Sequence, residues 1–453
     1  MTWKAAFRFR LFWVLAVLLV AAVIGLPLIL VHDGTAQGFT QIVLTYTLAA
    51  ITTLLGFATL WLACGTLARD IDECQMQVVA TKPVARWEIW LGKWLGIVGL
   101  NAALLALSGC SVYFLMEVRA GQLPADQREI LRDQIFTARA SLKVATPNLP
   151  ELYREQYETN LLMSRSAPGA SLTPEKLEAM RQQAEAQIRA SLQVIPPDTG
   201  REWEIDTGFL KSRLKQQPLR LRVKCQAANP NPAALYLTLW HIGPTNARPY
   251  DLEWQLPPDS FQERQLPPGL IDANGILTIR CENPNDTSLL FTIEEGLEVL
   301  YPEAGFALNL ARGLGVILCW LALFAAMGLA AASFLSFNVA AFASLAALVV
   351  GLSSGTLTGA LEAGTIGGLN DAGQSLHPIV DAVVLTTFRG MLGIIKMAQS
   401  FSPIDSLSTG RSITWGQLGL ASLQIVVVLG GVFMIIGIIC FTRRELASGQ
   451  NTG

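Results

Sequence analysis

Six stretches of this chain are too apolar and too long to be settled in water: Leu11 to Val31, Ile42 to Leu67, about Trp94 to Met116, about Leu308 to Leu335, Phe337 to Leu357, and Leu418 to Phe441. A helix of about 20 residues crosses the roughly 30 Å hydrocarbon layer of a bilayer. No water reaches the backbone there, so each run must close its own hydrogen bonds as a helix. The reading is an α-helical integral membrane protein with six transmembrane helices, a multi-pass protein of the cell membrane. The first run follows Lys4, Arg8 and Arg10, a start that secretory signal peptides share. Its apolar part is too long for one, and Thr35-Ala36 makes a poor cleavage site, so it reads as a retained span.

Between the third and fourth runs the composition changes completely. Residues 117–306 form a water-soluble insert large enough for its own core, and the expectation is an α+β domain. Its first part, 117–217, reads as helices over Pro124 to Val144, Pro150 to Ser166, and a third opening at Thr173-Pro174, where Thr caps and Pro takes the first turn. Leu177, Met180, Ala184, Ile188 and Leu192 mark one apolar face of that third helix. Its second part, 218–306, alternates apolar and polar residues over Arg220 to Gln226, Ala234 to His241, Asp251 to Gln255, Gly275 to Cys281 and Leu289 to Val299. Turn clusters such as Asn229-Pro230-Asn231-Pro232 separate them, a spacing that suggests a small β-sandwich. Cys225 and Cys281 are the insert's two cysteines, and a disulfide and a pair of half-buried thiols fit the sequence equally.

Charge sets the orientation. Lys4, Arg8, Arg10, Arg69, Lys82, Arg86, Lys93, Arg443 and Arg444 fall on one face if every run crosses, and the positive-inside rule makes that face cytoplasmic. Both termini are then cytoplasmic, and residues 117–306 lie outside. The domains read as 1–116 with spans one to three, 117–217, 218–306, and 307–453 with spans four to six. The overall charge of −2 gives no basic stripe for nucleic acid. Seven cysteines include no CxxC, and His32, His241 and His377 lie far apart, so no metal site is read. No nucleophile–base pair or paired carboxylates mark an enzyme. Gly368 to Ser375 resembles a phosphate loop only superficially, because Gln374 stands where the lysine belongs and no strand precedes it.

Charge is densest in residues 69–96, between two apolar runs. Ile71, Cys74 and Val78 recur at near-helical spacing, with Asp70, Asp72, Glu73, Gln75 and Gln77 around them: a short amphipathic helix on the membrane surface, from Asp70 to Ala80. Thr81-Lys82-Pro83 breaks it. A new helix starts near Val84, with Arg86 and Glu88 at the water, Trp87 and Trp90 at the interface, and Lys93 snorkelling.

The run TKPVARWEIWLGKWLG resembles the loop between spans two and three of type-2 ABC exporter permeases, above all the branch of the nitrous-oxide-reductase-maturation and gliding-motility permeases. Pro83, Arg86, Gly92 and Lys93 carry the match. The resemblance implies a coupling helix, residues 69–93, seated in a groove of a separate ATPase subunit, with Asp70, Asp72, Glu73, Gln75, Gln77, Lys82, Pro83 and Arg86 as the ATPase-coupling residues. It implies a transporter permease of a bacterial inner membrane that pairs with a second permease, identical or not. ATP and Mg would sit on the partner, with no cofactor in this chain. Nothing Met- or Cys-rich suggests a copper route. Two rival readings are a lipid extractor of the lipopolysaccharide-transport type, which shares the layout of six spans and an external β-domain, and a membrane anchor whose external domain binds a partner.

Polar residues inside the spans need partners. Asn101 and Ser108 read as helix-packing or pathway residues, and Arg312 as a charge that snorkels from the outer end of span four. Residues 374–401 read as an outer amphipathic helix ahead of the last span, as short outer helices stand in those permeases.

Overall fold

The structure is a computed structural model and describes residues 17–19, 21–25, 35–72, 85–145, 147–165, 174–228, 234–244, 249–293, 296–352, 384, 386, 389, 392–393 and 401–444. Most of the predicted first span, Gly368 to Ser375 and nearly all of the predicted outer helix 374–401 lie outside these residues. The chain divides into two compact units, 1–138 with 304–453, and 139–303. Its main helices among the described residues are α1 (Thr47–Asp72), α2 (Arg86–Ala120), α3 (Ala125–Gln134), α4 (Leu149–Arg165), α5 (Pro174–Gln193), α6 (Phe306–Phe334), α7 (Phe337–Leu352), α8 (Pro403–Ser408) and α9 (Trp415–Arg443).

Among the described residues, four helices are long and apolar enough to cross a membrane: Gly38–Ile71, which includes most of α1, and α2, α6 and α9. The described apolar part of α7, Phe337–Val349, is shorter. Helix α6 is the axis of this unit and packs on α1, α2 and α9. Close approach at small residues and buried hydrogen bonds join these apolar helices. Gly328 of α6 lies where a Cβ would stand 2.8 Å from Ala63 of α1. At Gly437 of α9 a Cβ would meet the Trp90 indole at 2.9 Å and Ala330 at 3.1 Å. Ala325, Ala326 and Ala332 are buried along α6. Trp94 Nε1 of α2 donates to the Ala322 carbonyl at 2.9 Å.

The second unit is built around β-strands: β1 (Thr137–Lys143), β2 (Val194–Ile195), β3 (Thr199–Asp206), β4 (Leu219–Val223), β5 (Gln226–Ala227), β6 (Tyr236–Ile242), β7 (Tyr250–Leu256), β8 (Gln262–Leu266), β9 (Ile276–Asn283), β10 (Leu289–Leu290) and β11 (Leu297–Gly305). They form sheets ordered β1-β11-β4-β8, β2-β10-β5 and β3-β9-β6-β7. One core serves all three, with Leu221, Val223, Ile195, Trp240, Leu277 and Ile279 buried in it. Strand β3 runs antiparallel to β9 from Thr199↔Asn283 to Asp206↔Ile276. Its alternation sends Trp203 and Ile205 inward, and Trp203 stacks on Trp240 with ring centroids 6.2 Å apart.

Two sequence expectations change here. Residues 124–144 do not form one helix: α3 ends at Gln134, and Thr137–Lys143 becomes an edge strand of the first sheet. Ala138 and Arg139 are buried there, a strand pattern that the helical reading absorbed. The strands β3 and β8 were also not expected, because Thr199–Asp206 and Gln262–Leu266 are rich in charge.

That charge is structural. Each strand of the first sheet supplies one member of a buried network: Arg139, Glu298, Arg222 and Glu263. Glu298, Arg222 and Glu263 are register partners on β11, β4 and β8. Arg222 Nη1 lies 3.1 Å from Glu298 Oε1 and its guanidinium 3.9 Å from the Phe261 ring centroid. Arg139 Nη1 and Glu263 Oε2 are 2.6 Å apart although β1 and β8 are opposite edges of the sheet.

Candidate functional site

Chain direction brings the ends of α1, α6 and α9 and the start of α2 to one end of the helical unit, and side-chain bonds tie them together. The last turn of a helix leaves carbonyls without intrahelical donors and carries partial negative charge. Arg86 of α2 answers this at α9: its Nη1 donates to the carbonyls of Phe441 at 3.1 Å, Thr442 at 2.6 Å and Arg444 at 3.1 Å. Arg444 in turn donates to the carbonyl of Ser333, in the last turn of α6, at 3.4 Å. Lys93 Nζ lies 2.5 Å from Asp70 Oδ2 and 2.9 Å from the Thr66 carbonyl, joining α2 to α1. The Arg69 guanidinium sits 4.9 Å from the Phe337 ring centroid. Beneath these bonds Trp90 is fully buried against Gly437. The Glu88 carboxylate accepts the Ala85 N–H at 3.1 Å, which starts α2 cleanly.

Segment 73–84 joins α1 to α2 at this end. Glu73, Gln75, Gln77, Lys82 and Pro83, predicted to couple, fall in it and lie outside the described residues. Asp70 and Asp72 are described, and they close α1 instead of opening a separate surface helix. Past the apolar run no Gly or Pro interrupts Ala68 to Asp72, so the helix continues through its charged residues. Lys93 does not snorkel to water, because Asp70 and the Thr66 carbonyl hold it. Arg86 is where the sequence placed it, at a helix start, but its bonds run to α9. Sequence reading named Arg444 only as a charge of the cytoplasmic face and missed Ser333 and the bond between them, although a basic residue just past an apolar helix is a C-terminal signal.

The other polar residues singled out in the spans are hydrogen-bonded within the helical unit. Asn101 Nδ2 donates to Thr59 Oγ1 of α1 at 2.8 Å, a buried interhelix bond. Ser108 donates to Leu104 of its own helix at 2.9 Å. Arg312 is only 5% exposed and does not snorkel. It donates to the Ile413 carbonyl at 3.0 Å and faces the Trp415 ring at 4.8 Å. Asn309, one turn earlier, donates to the Arg411 carbonyl and accepts the Ile413 N–H, both at 2.8 Å. The pair fastens residues 411–415 to α6. Gly410 has φ +68°, and a Cβ there would collide with the Gln134 carbonyl.

The β-domain carries a cleft of about 440 Å³ beside β3. Trp203, Phe291, Leu192 and Leu297 give it an apolar wall, and Glu202 and Glu204 line it as well. Cys225 and Cys281 are buried and unbridged, so the thiol alternative is the one the structure takes. Burial pushes the Cys225 thiol up to about 11 and raises Cys281 still further. Among the described residues no group of three His, Cys, Asp or Glu side chains is placed to hold a metal ion. No known protein family, curated protein or solved structure matches the chain.

Proposed function

We propose that this chain is the membrane subunit of an ATP-driven exporter or membrane-remodelling complex, with six spans, both termini in the cytoplasm and the β-domain outside. A separate ATPase subunit binds segment 73–84, and a second permease completes the path. One observation carries the reading: the segment is anchored on both sides to bonds that spread across the bundle. On one side Asp70 is paired with Lys93. On the other Arg86 grips the end of α9, and Arg444 passes the link to α6. A displacement of the segment by ATPase closure would therefore reach four helices at once. That is the mechanical requirement of a subunit that converts hydrolysis elsewhere into movement in the membrane.

Co-purification from native membranes in mild detergent tests this. An ATPase subunit is expected with the parent chain and is lost from Glu73→Arg and Lys82→Glu variants that elute as the parent does. Absence of any ATPase after cross-linking overturns the exporter reading in favour of a membrane anchor. The cleft at Trp203 favours a second reading, lipid extraction. It predicts co-purified lipid that Trp203→Ala depletes.

A further inference from the structure

Phe209 is 95% exposed, whereas Phe261 and Phe291, the other phenylalanines of the β-domain, are 37% and 3% exposed. Its position is built, not loose. Gly208 takes φ +52°, a conformation that favours glycine, and its N–H donates to Asp206 Oδ1 at 2.8 Å. The Thr207 hydroxyl donates to the Gly275 carbonyl at 2.6 Å, and Lys211 reaches the carbonyl of Ala273. Leu210 packs on the domain core and Leu214 is buried in it. These contacts fix a turn whose outermost group is a bare aromatic ring.

Two further features point to what the ring meets. Arg213 donates to the carbonyls of Pro302 at 3.4 Å and Glu303 at 3.1 Å. Glu303 stands three residues ahead of Phe306, where the apolar helix α6 begins, and three residues extend over at most about 11 Å. Connectivity alone keeps this turn close to the place where the chain turns apolar. Lys211, Arg213 and Lys215 follow Phe209, against the single carboxylate of Asp206 in residues 206–215. Asp272, at the same end of the domain, holds its carboxylate on the N–H groups of Asn274 and Ile276. An exposed aromatic ring beside several cations suits the boundary between acyl chains and anionic headgroups.

We infer that residues 207–215 are a membrane-surface anchor of the β-domain, with Phe209 inserted at the acyl boundary of the bilayer that α6 enters and the cations over lipid phosphates. The inference rests on the membrane reading of the chain and is independent of any ATPase. It gives the external domain a second tether beside its covalent ones.

The test uses the full chain in nanodiscs of phosphatidylcholine with anionic phosphatidylglycerol. Photoreactive benzoylphenylalanine replaces Phe209 in one sample and Leu235 in another. Leu235 is 60% exposed but lies beyond the opposite end of the β3-β9-β6-β7 sheet, by the register Asp206↔Ile276 and Leu239↔Glu282, roughly 30 Å away at about 3.3 Å per residue. The expected result is a lipid adduct at 209 at least fivefold above that at 235. Equal labelling, no lipid adduct at 209, or an adduct to a second copy of the chain overturns the anchor. Vesicle flotation of the parent chain, run first, separates this from failure of the membrane reading itself: a chain that does not float has lost both.

Discussion

In the β-domain, Arg139 and Arg222 meet carboxylates; in the helical unit, Arg86 and Arg444 meet main-chain carbonyls at helix ends. The difference follows from how each architecture spends its backbone. A strand inside a sheet gives its carbonyls to the ladder on either side, so an arginine buried on β4 needs a side-chain anion, and Glu298 stands directly opposite it. A helix ends with several carbonyls unspent, and a cation placed there needs no acid. The consequence is an asymmetry of risk. Removing Glu298 takes from buried Arg222 the carboxylate at 3.1 Å and leaves it that of Glu263 at 3.9 Å, where no water can replace the loss. Removing Arg86 leaves carbonyls at a helix end, which water can reach.

Glu298→Ala should therefore give the largest effect, a loss of about 3 kcal/mol in the stability of the β-domain, the low end for a broken buried pair because Glu263 stays beside Arg222. Denaturant unfolding of the full chain, followed by the fluorescence of the buried Trp240 and Trp254, measures it. Replacing both partners, Arg222→Met with Glu298→Leu, should recover most of the loss, since neither charge is then buried. A Glu298→Ala cost under about 1 kcal/mol would remove the contrast with the helical unit.

Next in size is a pH effect confined to the same domain. Burial raises the Cys225 thiol from its ordinary value near 9 to about 11. A group whose proton is held more tightly in the folded state contributes stability below its unfolded value, and that contribution is lost as pH climbs toward the folded one. Unfolding free energy should be flat from pH 7 to 8.5 and then fall between about pH 9 and 11, by about 2 kcal/mol for this thiol. Cys225→Ala should flatten that part of the curve. The slope that remains in the variant reports Cys281 and the buried Tyr301, which burial also raises. An unchanged slope in Cys225→Ala would show that the thiol ionises as freely in the fold as out of it.

The same contrast explains what the sequence disclosed. Long apolar runs announce themselves, and α1, α2, α6 and α9 lie where the runs lie, because length and hydropathy are local properties. The strands around Tyr236–Ile242 and Ile276–Asn283 were legible for the same reason: one face alternates apolar residues toward the core. Thr137–Lys143 and Gln262–Leu266 were not, because their inward positions carry Arg139 and Glu263, which read as solvent-facing until their partners arrive from strands over 100 residues away. At the candidate site, Arg86 was legible as a charge at a helix start, whereas Asp70 was read as opening a surface helix and instead closes α1. Their bonding was not legible, since Arg86 reaches a carbonyl 355 positions along the chain. Arg312 looked like a snorkelling charge for want of Asn309 and Ile413 beside it.

On the helical side, Arg86→Ala should cost about 1–2 kcal/mol, the range of a few charge-assisted bonds at a helix end. Arg86→Lys should recover about half, keeping the charge but losing the planar fork. Cys440 lies one residue ahead of the first carbonyl that Arg86 holds, so its maleimide labelling rate in mild detergent reports fraying of α9. The rate should rise several-fold in Arg86→Ala and be close to the parent's in Arg86→Lys. A rate unchanged in Arg86→Ala would mean that water replaces the guanidinium without loss, and that the link from segment 73–84 to α9 carries no force.

The smallest effect belongs to Asp70→Asn. The Asp70 and Lys93 side chains are 32% and 13% exposed, and a partly exposed pair of this kind contributes about 0.5–1 kcal/mol. Lys93 keeps the Thr66 carbonyl in the variant, so its charge is not left without a partner. Stability should barely move, yet the joint between α1 and α2 should loosen. Stability and mechanism can thus be separated here, as they cannot at Glu298. Cysteines introduced at Arg69 and Trp94, spin-labelled in the full chain, should show a broader distance distribution in Asp70→Asn, with a melting temperature within about 2 °C of the parent's. An unbroadened distribution would place the rigidity of this end in the packing of Trp90 against Gly437, and the ion pair would then be dispensable to any transmission from segment 73–84.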